Sequence, residues 1–385
     1  MREIYLDNSS TTKPSESVIS VMLKTMTEDY GNPSSMHRKG LDAERYVRNA
    51  REDIAKVLKA SPAELVFTSG GTESNNMAIF GAAMAGRRRG RRILVSAMEH
   101  PAVSEPVRIL EQEGFTVQRI GVDRNGCLDL DELAAQLEED VILVSTMFVN
   151  NEIGAVVPVK EVAELVHKRA PHALYHVDAI QAFGKYRIFP GQLGIDLMSA
   201  SGHKFHGPKG TGFLYIRNGA RIVPWIYGGG QQAGMRSGTE NVPGIAGLGT
   251  AVVEAYRDFD KKNGHLYVLR QCLEEGLLKM EGVVLHGPRG REGAPHIVNA
   301  SFTGVGSEVL LHALEDRGIY VSAGSACSTH KRNASPTMAA IGAPEEESSS
   351  AVRFSFCDTN TEEEVDIVLQ TLQELLPLLR RYRRA

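Results

Sequence analysis

The sequence is short of several features that define other protein classes. No apolar run approaches the roughly 18 residues that a membrane helix needs. The N-terminal residues lack a charged lead followed by an apolar core, so we expect no signal peptide. There are 4 cysteines, and no two of them form a Cys-x-x-Cys pair. Neither a disulfide framework nor a zinc ribbon is indicated, and a reducing, cytoplasmic setting is the expectation.

The charge balance is also unremarkable. The formal net charge is −4, which gives no bulk electrostatic argument for nucleic-acid binding. Hydrophobic residues make up 42% and charged residues 23% of the chain, as in an ordinary soluble globular enzyme. Repeats and low-complexity linkers are missing. At 385 residues, one large domain or two are expected.

Short apolar runs alternate with helical patterns over the first two-thirds of the chain. The runs are apolar throughout, which is typical of strands buried on both faces of a mostly parallel sheet. They cover residues 65–68, 93–96, 117–120, 141–145 and 175–177. The fold class is therefore α/β, and ligands are expected at the carboxyl ends of the strands.

The pattern changes after about residue 255. Helical segments then dominate, at 266–280, 307–317 and 361–381, with shorter strands at 297–302 and 352–356. We predict a large domain over 15–255 and a smaller α/β domain from 1–14 and 256–385. The last helix carries a core-facing apolar stripe, made of Val365, Val368, Leu369, Leu372, Leu375 and Leu376.

A lysine and an aspartate stand at two predicted strand ends. Lys204 closes Ser201-Gly202-His203-Lys204, just after an apolar stretch, and the run 175–177 ends in Asp178. Such a lysine can form a Schiff base, and such an aspartate can hold a pyridinium nitrogen, as in pyridoxal 5'-phosphate (PLP) enzymes. A surface lysine with an unrelated acid is the alternative that these two residues leave open.

A glycine-rich turn joins the first predicted strand to a helix. Ser69-Gly70-Gly71-Thr72-Glu73 lets the backbone approach an anion, and the helix N-terminus offers free N–H groups to it. The alternative is a plain junction with Thr72 as the helix cap. The dinucleotide pattern is missing, and Pro208 stands where a Walker lysine belongs, so the turn is typical of a site for one phosphate.

Three further residues have side chains and sequence positions that suit a chemical role. His100 follows a strand end and can stack on an aromatic cofactor or shuttle protons, or else be an ordinary loop histidine. Cys327 lies among small residues, with Lys331 and Arg332 soon after, where a thiol can be held partly as thiolate; a buried structural cysteine is the alternative. Arg353 on a predicted strand suits bidentate capture of a carboxylate, or a structural salt bridge.

These pieces, taken in order along the chain, resemble the cysteine desulfurases, which are PLP enzymes of the class V aminotransferase fold. The small-residue segment around Cys327 resembles the longer-loop group of that family. The resemblance implies a PLP-dependent transferase of fold type I, with a mixed, mostly parallel sheet. The motifs that carry it are Tyr5-Leu6-Asp7-Asn8 with Thr11-Thr12, Gly31-Asn32-Pro33-Ser34-Ser35 with His37, and those at 71–76, 99–100, 150–154, 177–179 with Gln181, 201–210, 236–241, 324–328 and 353–355.

The resemblance also implies roles for individual residues. Lys204 would hold PLP and move the Cα proton, His100 would stack on the ring and assist, and Cys327 would attack the sulfur of bound cysteine. Asn151 and Arg353 would hold the substrate carboxylate. The implied cofactor-binding set is Gly71, Thr72, His100, Asp178, Gln181, Ser201, His203 and Lys204, with Thr239 from a second subunit of a homodimer; no metal ligands are implied.

The implied reaction converts L-cysteine to L-alanine and leaves a persulfide on Cys327 for a sulfur-acceptor protein. Ser9-Ser10 replace the alanines usual in the family, and the chain ends without the tail that some members use to dock an iron–sulfur scaffold. A scaffold and a tRNA-thiolation enzyme therefore both remain as acceptors. The alternatives are a selenocysteine lyase, another class V aminotransferase or β-lyase, and a non-catalytic sulfur carrier or RNA-binding protein that uses the arginine cluster at 87–92.

Overall fold

The computed structural model describes residues 3–323 and 335–382, and its strands follow the predicted alternation closely. The predicted strands 65–68 and 297–302 are found as expected, and the others shift by one or two residues at their ends. The strands are β1 Ile4–Tyr5, β2 Leu65–Thr68, β3 Arg92–Ser96, β4 Thr116–Ile120, β5 Val141–Met147, β6 Leu174–Asp178, β7 Leu197–Ser201, β8 Gly212–Ile216, β9 Val283–His286, β10 Ile297–Phe302, β11 Ile319–Tyr320, β12 Ser322–Ala323 and β13 Ala351–Ser355.

Helices fill the connections between these strands. Short 3₁₀ turns also occur, one of them at Gly202–Lys204 directly after β7. The helices are α1 Glu16–Thr27, α2 Arg38–Leu58, α3 Gly71–Gly86, α4 Pro101–Gln112, α5 Leu130–Gln136, α6 Val159–Arg169, α7 Pro190–Leu193, α8 Val242–Tyr256, α9 Phe259–Leu277, α10 Ser307–Glu315, α11 Pro336–Ala340, α12 Glu345–Ser349 and α13 Glu362–Tyr382.

The large sheet has seven strands in the order β2-β8-β7-β6-β5-β3-β4. Strands β7, β6, β5, β3 and β4 run parallel, and β8 runs antiparallel to both β7 and β2. All seven residues of β5 are buried, as a strand covered on both faces requires. The predicted α/β class with a mixed, mostly parallel sheet is confirmed.

A smaller sheet is built from the C-terminal third of the chain. Its four strands, in the order β12-β13-β10-β9, are all antiparallel. Strand β1 pairs in parallel with β11, so the start of the chain packs with this part of the molecule. The core beneath combines Ile4 and Leu6 with the predicted stripe of α13, whose Val365, Val368, Leu372, Leu375 and Leu376 are buried and whose Leu369 is partly buried. The domain boundaries themselves stay a prediction.

Helix α9 departs most from the predicted bounds. It begins at Phe259 rather than near 266, because its first turns are mostly polar and include Gly264, so they show no apolar periodicity. Within the residues that the structure describes, no helix combines the length and the apolar character needed to cross a membrane.

Candidate active site

The site lies where the carboxyl ends of β2 and β7 meet the start of α3, as expected for an open α/β sheet. A cavity of about 380 Å³ opens there. The predicted residues Gly71, Thr72, Ser201 and His203 all line it. The remaining lining residues are Ser10, Thr11, Ser69, Gly70, Glu73, Lys209 and Gly210.

The start of α3 is shaped by two glycines. Gly70 precedes the helix with φ at 144°, a backbone conformation that favours glycine. A Cβ on Gly71 would come within 2.1 Å of Ile180 Cδ1, so no larger residue fits there without a shift. The alternative that Thr72 caps this helix is wrong, because Gly70 is the N-cap and no side chain caps it. The first N–H groups of α3 are thus available to an anion.

His203 lies on the wall of the same cavity. Its Nδ1 is 3.3 Å from Thr11 Oγ1. Burial, together with the charges of Lys204 and Lys209, lowers the pKa of His203 to about 4. The ring is therefore neutral near pH 7 and acts through hydrogen bonds rather than through charge. With Ser201, Thr72 and the start of α3, it forms a polar wall of the size and kind that one phosphate group needs.

Asp178 ends β6 and is almost completely buried. Its Oδ2 accepts a hydrogen bond from Asn75 Nδ2 at 2.7 Å, and its Oδ1 accepts one from the Ile180 N–H at 3.0 Å. Burial raises the pKa of Asp178, while these hydrogen bonds and the nearby His100 and Lys204 act in the opposite direction. A buried carboxylate with cations near it fits the ring nitrogen of PLP.

Asn75 lies in the motif at 71–76, but its residue type alone predicts no role. It lies one helical turn after Gly71, on the same face of α3, so the helix that begins at the phosphate wall also positions the acid. The spacing of four residues was the available signal.

Lys204 is half-buried in the turn after β7. Its Nζ donates to the carbonyl oxygens of Ser9 at 2.6 Å and Ser10 at 2.8 Å. Gln181 Nε2 donates to the same Ser9 oxygen at 2.9 Å. The N-terminal segment therefore orients two of the predicted cofactor residues, Lys204 and Gln181, through the backbone carbonyl of Ser9. The residue type of Ser9 does not indicate this role.

His100 is both the predicted site residue and a helix cap. It precedes α4, and its Nδ1 accepts the Ala102 N–H at 3.0 Å, which puts the proton of the neutral ring on Nε2. Burial, with the charge of Lys204, lowers the pKa of His100, while Asp178 raises it. The ring keeps a solvent-exposed surface. Capping uses one ring nitrogen and leaves the other available to a ligand.

Glu99, the residue before His100, is buried behind the site. Its Oε1 accepts hydrogen bonds from Ser96 Oγ and from the Met147 N–H at 2.6 Å. Burial, with a contribution from the charge of Asp178, raises the pKa of Glu99 to about 8. The carboxyl group is thus mostly protonated at neutral pH, and no charge pattern in the sequence pointed to this.

Arg353 on β13 is 8% exposed and is held by several partners. One Nη donates to the Asn151 carbonyl at 2.8 Å, and the other donates to Asp7 Oδ1 at 2.9 Å and to Ser10 Oγ at 2.7 Å. Its Nε is buried and has no hydrogen-bond partner among the described residues. Arg353 therefore does form a salt bridge, with Asp7, as the alternative predicted. Its Nε–H remains as a donor for a carboxylate.

Other predicted residues fall outside this arrangement. Thr239 is exposed and is not among the described residues that line the cavity. Cys327 lies outside the described residues. In the arginine cluster, Arg92 begins β3 and pairs with Glu138 at 3.0 Å and Asp140 at 3.1 Å, so part of its charge is already matched.

Comparisons with known proteins identify the family of the chain. The family model for class-V aminotransferases matches residues 4–368. The cysteine desulfurase IscS of Methanosarcina thermophila is 43% identical over 379 residues, which cover 98% of this chain and 93% of the relative.

Two solved structures are similar over nearly all of the chain. A NifS-like protein has a TM-score of 0.93 and 39% identity, covering 98% of this chain and 100% of the other. The structure of SspA in complex with cysteine has a TM-score of 0.80 and 30% identity, covering 93% of this chain and 100% of the other.

Proposed function

The chain belongs to the class-V aminotransferase family and is a PLP-dependent cysteine desulfurase, and we propose that the residues in and around the cavity between β2, β7 and α3 carry this reaction. The observation that supports the assignment of residues is their convergence. A lysine, a buried aspartate and an uncapped helix start lie together, because Asn75 of α3 donates to Asp178 and the charge of Lys204 acts on the same carboxyl group. Neither Lys204 nor Asp178 is among the residues that line the cavity itself. Neither the lyase and transaminase alternatives nor a non-catalytic carrier is favoured by the comparisons.

Three parts of the site would hold the cofactor. Lys204 would bind it covalently, Asp178 would pair with its ring nitrogen, and the start of α3 with Thr72, Ser201 and His203 would bind its phosphate. Gln181 would donate to the ring oxygen, and His100 would stack on the ring. PLP, when bound, withdraws electrons from the carbon atoms of the substrate next to the amine.

The chain's own groups then handle protons. The Lys204 amine lies against the Ser9 and Ser10 carbonyls, which fix its direction, and it removes the proton from the substrate Cα. His100 is mostly neutral at pH 7 because its pKa is lowered, so it assists as a hydrogen-bonding and proton-transferring group. Burial raises the pKa of Asp178 overall, so a protonated ring nitrogen bound beside it would be the partner that holds this carboxyl group in its charged form.

The substrate carboxylate is bound by Arg353. Its partnerless Nε supplies a donor, and rearrangement of the bonds to Asp7 and Ser10 supplies a second for the two-point geometry that arginine favours. Asn151, next to this guanidinium, contributes an amide. SspA has been solved with cysteine bound, and we propose the same substrate here.

The sulfur leaves the substrate by attack of a thiolate. Cys327 Sγ bonds to the sulfur of cysteine, the carbon–sulfur bond breaks, and the carbon keeps the electron pair and later takes a proton. The products are alanine and a persulfide on Cys327. That persulfide is then passed to an acceptor protein for iron–sulfur cluster assembly or tRNA thiolation, in the cytoplasm.

Homodimer formation is the remaining part of the proposal. Helix α1 presents Ile19, Leu23 and Met26 on one face, and each is at least 50% exposed. Such a contiguous apolar face is typical of a subunit interface. A second subunit is also the expected source of Thr239 at the phosphate.

The decisive experiment measures alanine formation and sulfur on the protein together. With L-cysteine and a reductant, the wild-type chain should form alanine catalytically, and Cys327→Ser should keep the visible absorbance of the cofactor without forming alanine. A colourless protein that cannot take up PLP would contradict the proposal.

A further inference from the structure

A second cavity lies directly beside the first. Its volume is about 780 Å³, and Thr11 and Lys209 line both cavities. Its walls come from the N-terminal segment, the start of α9 and the residues that follow β13. His206, Cys357 and Asp358 line it, and one ligand atom from each lies within 4.8 Å of the other two. None of these three residues takes part in the proposed reaction.

We propose that His206, Cys357 and Asp358 form a binding site for a zinc-like divalent cation, with the fourth coordination position open to the second cavity. Imidazole nitrogen, thiolate sulfur and carboxylate oxygen are the donors that zinc takes in proteins. Three protein ligands and an open fourth position are typical of zinc sites that bind a water or a small ligand.

The orientation of His206 supports this assignment. Its Nδ1 is 2.9 Å from the Lys13 carbonyl oxygen, which can only accept, so Nδ1 carries a proton. The other nitrogen, Nε2, is 3.5 Å from Asp358 Oδ1. Two donors bound to one tetrahedral zinc at its usual bond lengths lie ~3.4 Å apart. A backbone carbonyl that holds the non-coordinating ring nitrogen is also the usual outer partner of a metal-bound histidine.

The backbone at His206 is in an uncommon conformation. Its φ is 65°, in the left-handed region that residues other than glycine seldom adopt. The His206 N–H donates to Thr12 Oγ1 at 2.7 Å, which holds the turn in place. Strain of this kind persists where surrounding contacts enforce it, and here it directs the imidazole into the second cavity.

The two anionic donors are also held in place. Asp358 Oδ2 pairs with Lys262 Nζ at 3.0 Å, which leaves Oδ1 for the side of His206. The Cys357 N–H donates to Asn360 Oδ1 at 2.8 Å, and Cys357 Sγ lies 3.1 Å from Thr359 Oγ1. The donor set is thus preorganised by partners outside it.

The charges around the two anionic donors favour their metal-binding forms, whereas the pKa of His206 is raised, so a metal would have to displace a proton from its ring. Burial raises the pKa of Cys357, but the interactions with His206 and Thr359 outweigh it, and the pKa is lowered overall. Burial likewise raises the pKa of Asp358, and Lys262 more than offsets it. Because the charges of Lys262 and of the buried Lys185 both repel a cation, we expect weaker binding than in structural zinc sites of four thiolate or imidazole ligands.

A bound ion would connect two parts of the reaction site. His206 lies two residues after Lys204, and Cys357 follows β13, which carries Arg353. A metal at this position would tie the turn that carries the lysine to the strand that carries the arginine. It should therefore raise the melting temperature of the folded protein.

The test uses PLP-loaded protein in a Cys327→Ser background, which removes the reaction's own thiol as a ligand. Co²⁺ is titrated first, since tetrahedral Co²⁺ absorbs in the red, away from PLP, and Zn²⁺ then displaces it. The expected result is one tetrahedral Co²⁺ per chain and a higher melting temperature with Zn²⁺. Cys357→Ser and Asp358→Asn should each weaken Zn²⁺ binding at least ~10-fold.

Cys127→Ser is the matched control, because Cys127 is an exposed thiol elsewhere on the chain. PLP uptake reports that each variant has folded. Unchanged Zn²⁺ affinity in both Cys357→Ser and Asp358→Asn would overturn the proposal. So would a parent protein that shows no tetrahedral Co²⁺ spectrum and no change in melting temperature, because the three residues would then be an ion-pair cluster only.

Discussion

Two histidines three residues apart show how the packed surroundings set the charge of a side chain. His203 lies on the first cavity, where Lys204, Lys209 and burial lower its pKa to about 4. His206 lies on the second cavity. Burial lowers the pKa of His206, but the thiol of Cys357 outweighs this and raises it overall.

The difference follows from what each ring faces. His203 faces the helix start and the lysines of its own loop, so its wall suits an anion. His206 faces Cys357 and Asp358 from a distant part of the chain, so its wall suits a cation. The turn after β7 thus places His203 in the first cavity and His206 in the second. The groups that each ring contacts there, rather than the turn itself, determine the direction of its pKa shift.

The largest expected effect is the difference in alanine formation between variants of Lys204 and His206. Lys204→Ala should reduce alanine formation at least ~10³-fold, because both the cofactor attachment and the proton transfer are lost. His206→Gln, at the second cavity, should keep activity within ~3-fold and retain the visible cofactor absorbance. Steady-state alanine formation and absorbance spectra measure both. Equal losses in the two variants would show that the two cavities do not act separately.

Variants of Cys327 and Cys357 should differ as strongly in activity. Cys327→Ser should abolish persulfide formation and lower alanine formation at least ~10³-fold, since a serine hydroxyl cannot accept the sulfur. Cys357→Ser should keep most of this activity. Mass spectrometry of peptides after reaction with cysteine locates the sulfur, and sulfur found on Cys357 alone would reverse the roles given to the two residues.

Arg353 should show an intermediate effect on substrate binding. Arg353→Lys keeps the charge but loses two-point carboxylate binding, so KM for cysteine should rise about 10- to 100-fold with a smaller change in kcat. Arg317→Lys is the matched control, because Arg317 pairs with Glu374 and lines neither cavity. If KM for cysteine stays the same in Arg353→Lys, another group binds the carboxylate.

The last comparison concerns two carboxyl groups, Glu99 and Asp358, and the pH dependence of stability in their variants. The pKa of Glu99 is raised to about 8 from 4.5, so its protonation stabilises the fold fully below pH 4.5, and this contribution is lost as pH rises toward 8. Glu99→Gln is neutral throughout. Its stability relative to wild type should therefore improve between pH 5 and pH 8, by on the order of 3 kcal/mol.

Asp358 should show the reverse trend, since its pKa is lowered and its contribution is lost as pH falls. Asp358→Asn should therefore be least stable relative to wild type near neutral pH. Thermal melts across the pH range measure both variants in metal-free buffer. If the stabilities of Glu99→Gln and Asp358→Asn relative to wild type changed in the same direction with pH, the opposite pKa shifts of these two carboxyl groups would be contradicted.

Much of the fold and the first site could be predicted because both follow general rules. Buried parallel strands give continuous apolar runs, and the carboxyl ends of β6 and β7 bring Asp178 and Lys204 close to each other and to α3. The contacts that orient them could not be predicted. The Ser9 carbonyl accepts from Lys204 and Gln181 through backbone atoms, which leave no trace in residue type.

The second cavity gave no signal in the sequence for a related reason. His206 and Cys357 are far apart along the chain, and neither belongs to a spaced metal-binding motif. Only the packing of the segment after β13 against the turn after β7 brings them together. Sequence motifs report ligands that share a local element, and they miss ligands that tertiary structure assembles.

Sulfur from L-cysteine can be followed on the wild-type chain under limited turnover, which tests whether Cys327 accepts it. We predict that each alanine released in the first turnover is matched by one sulfur atom on the peptide that contains Cys327, and that Lys204→Ala yields neither product. Alanine released in full while the Cys327 peptide keeps its original mass would contradict the account.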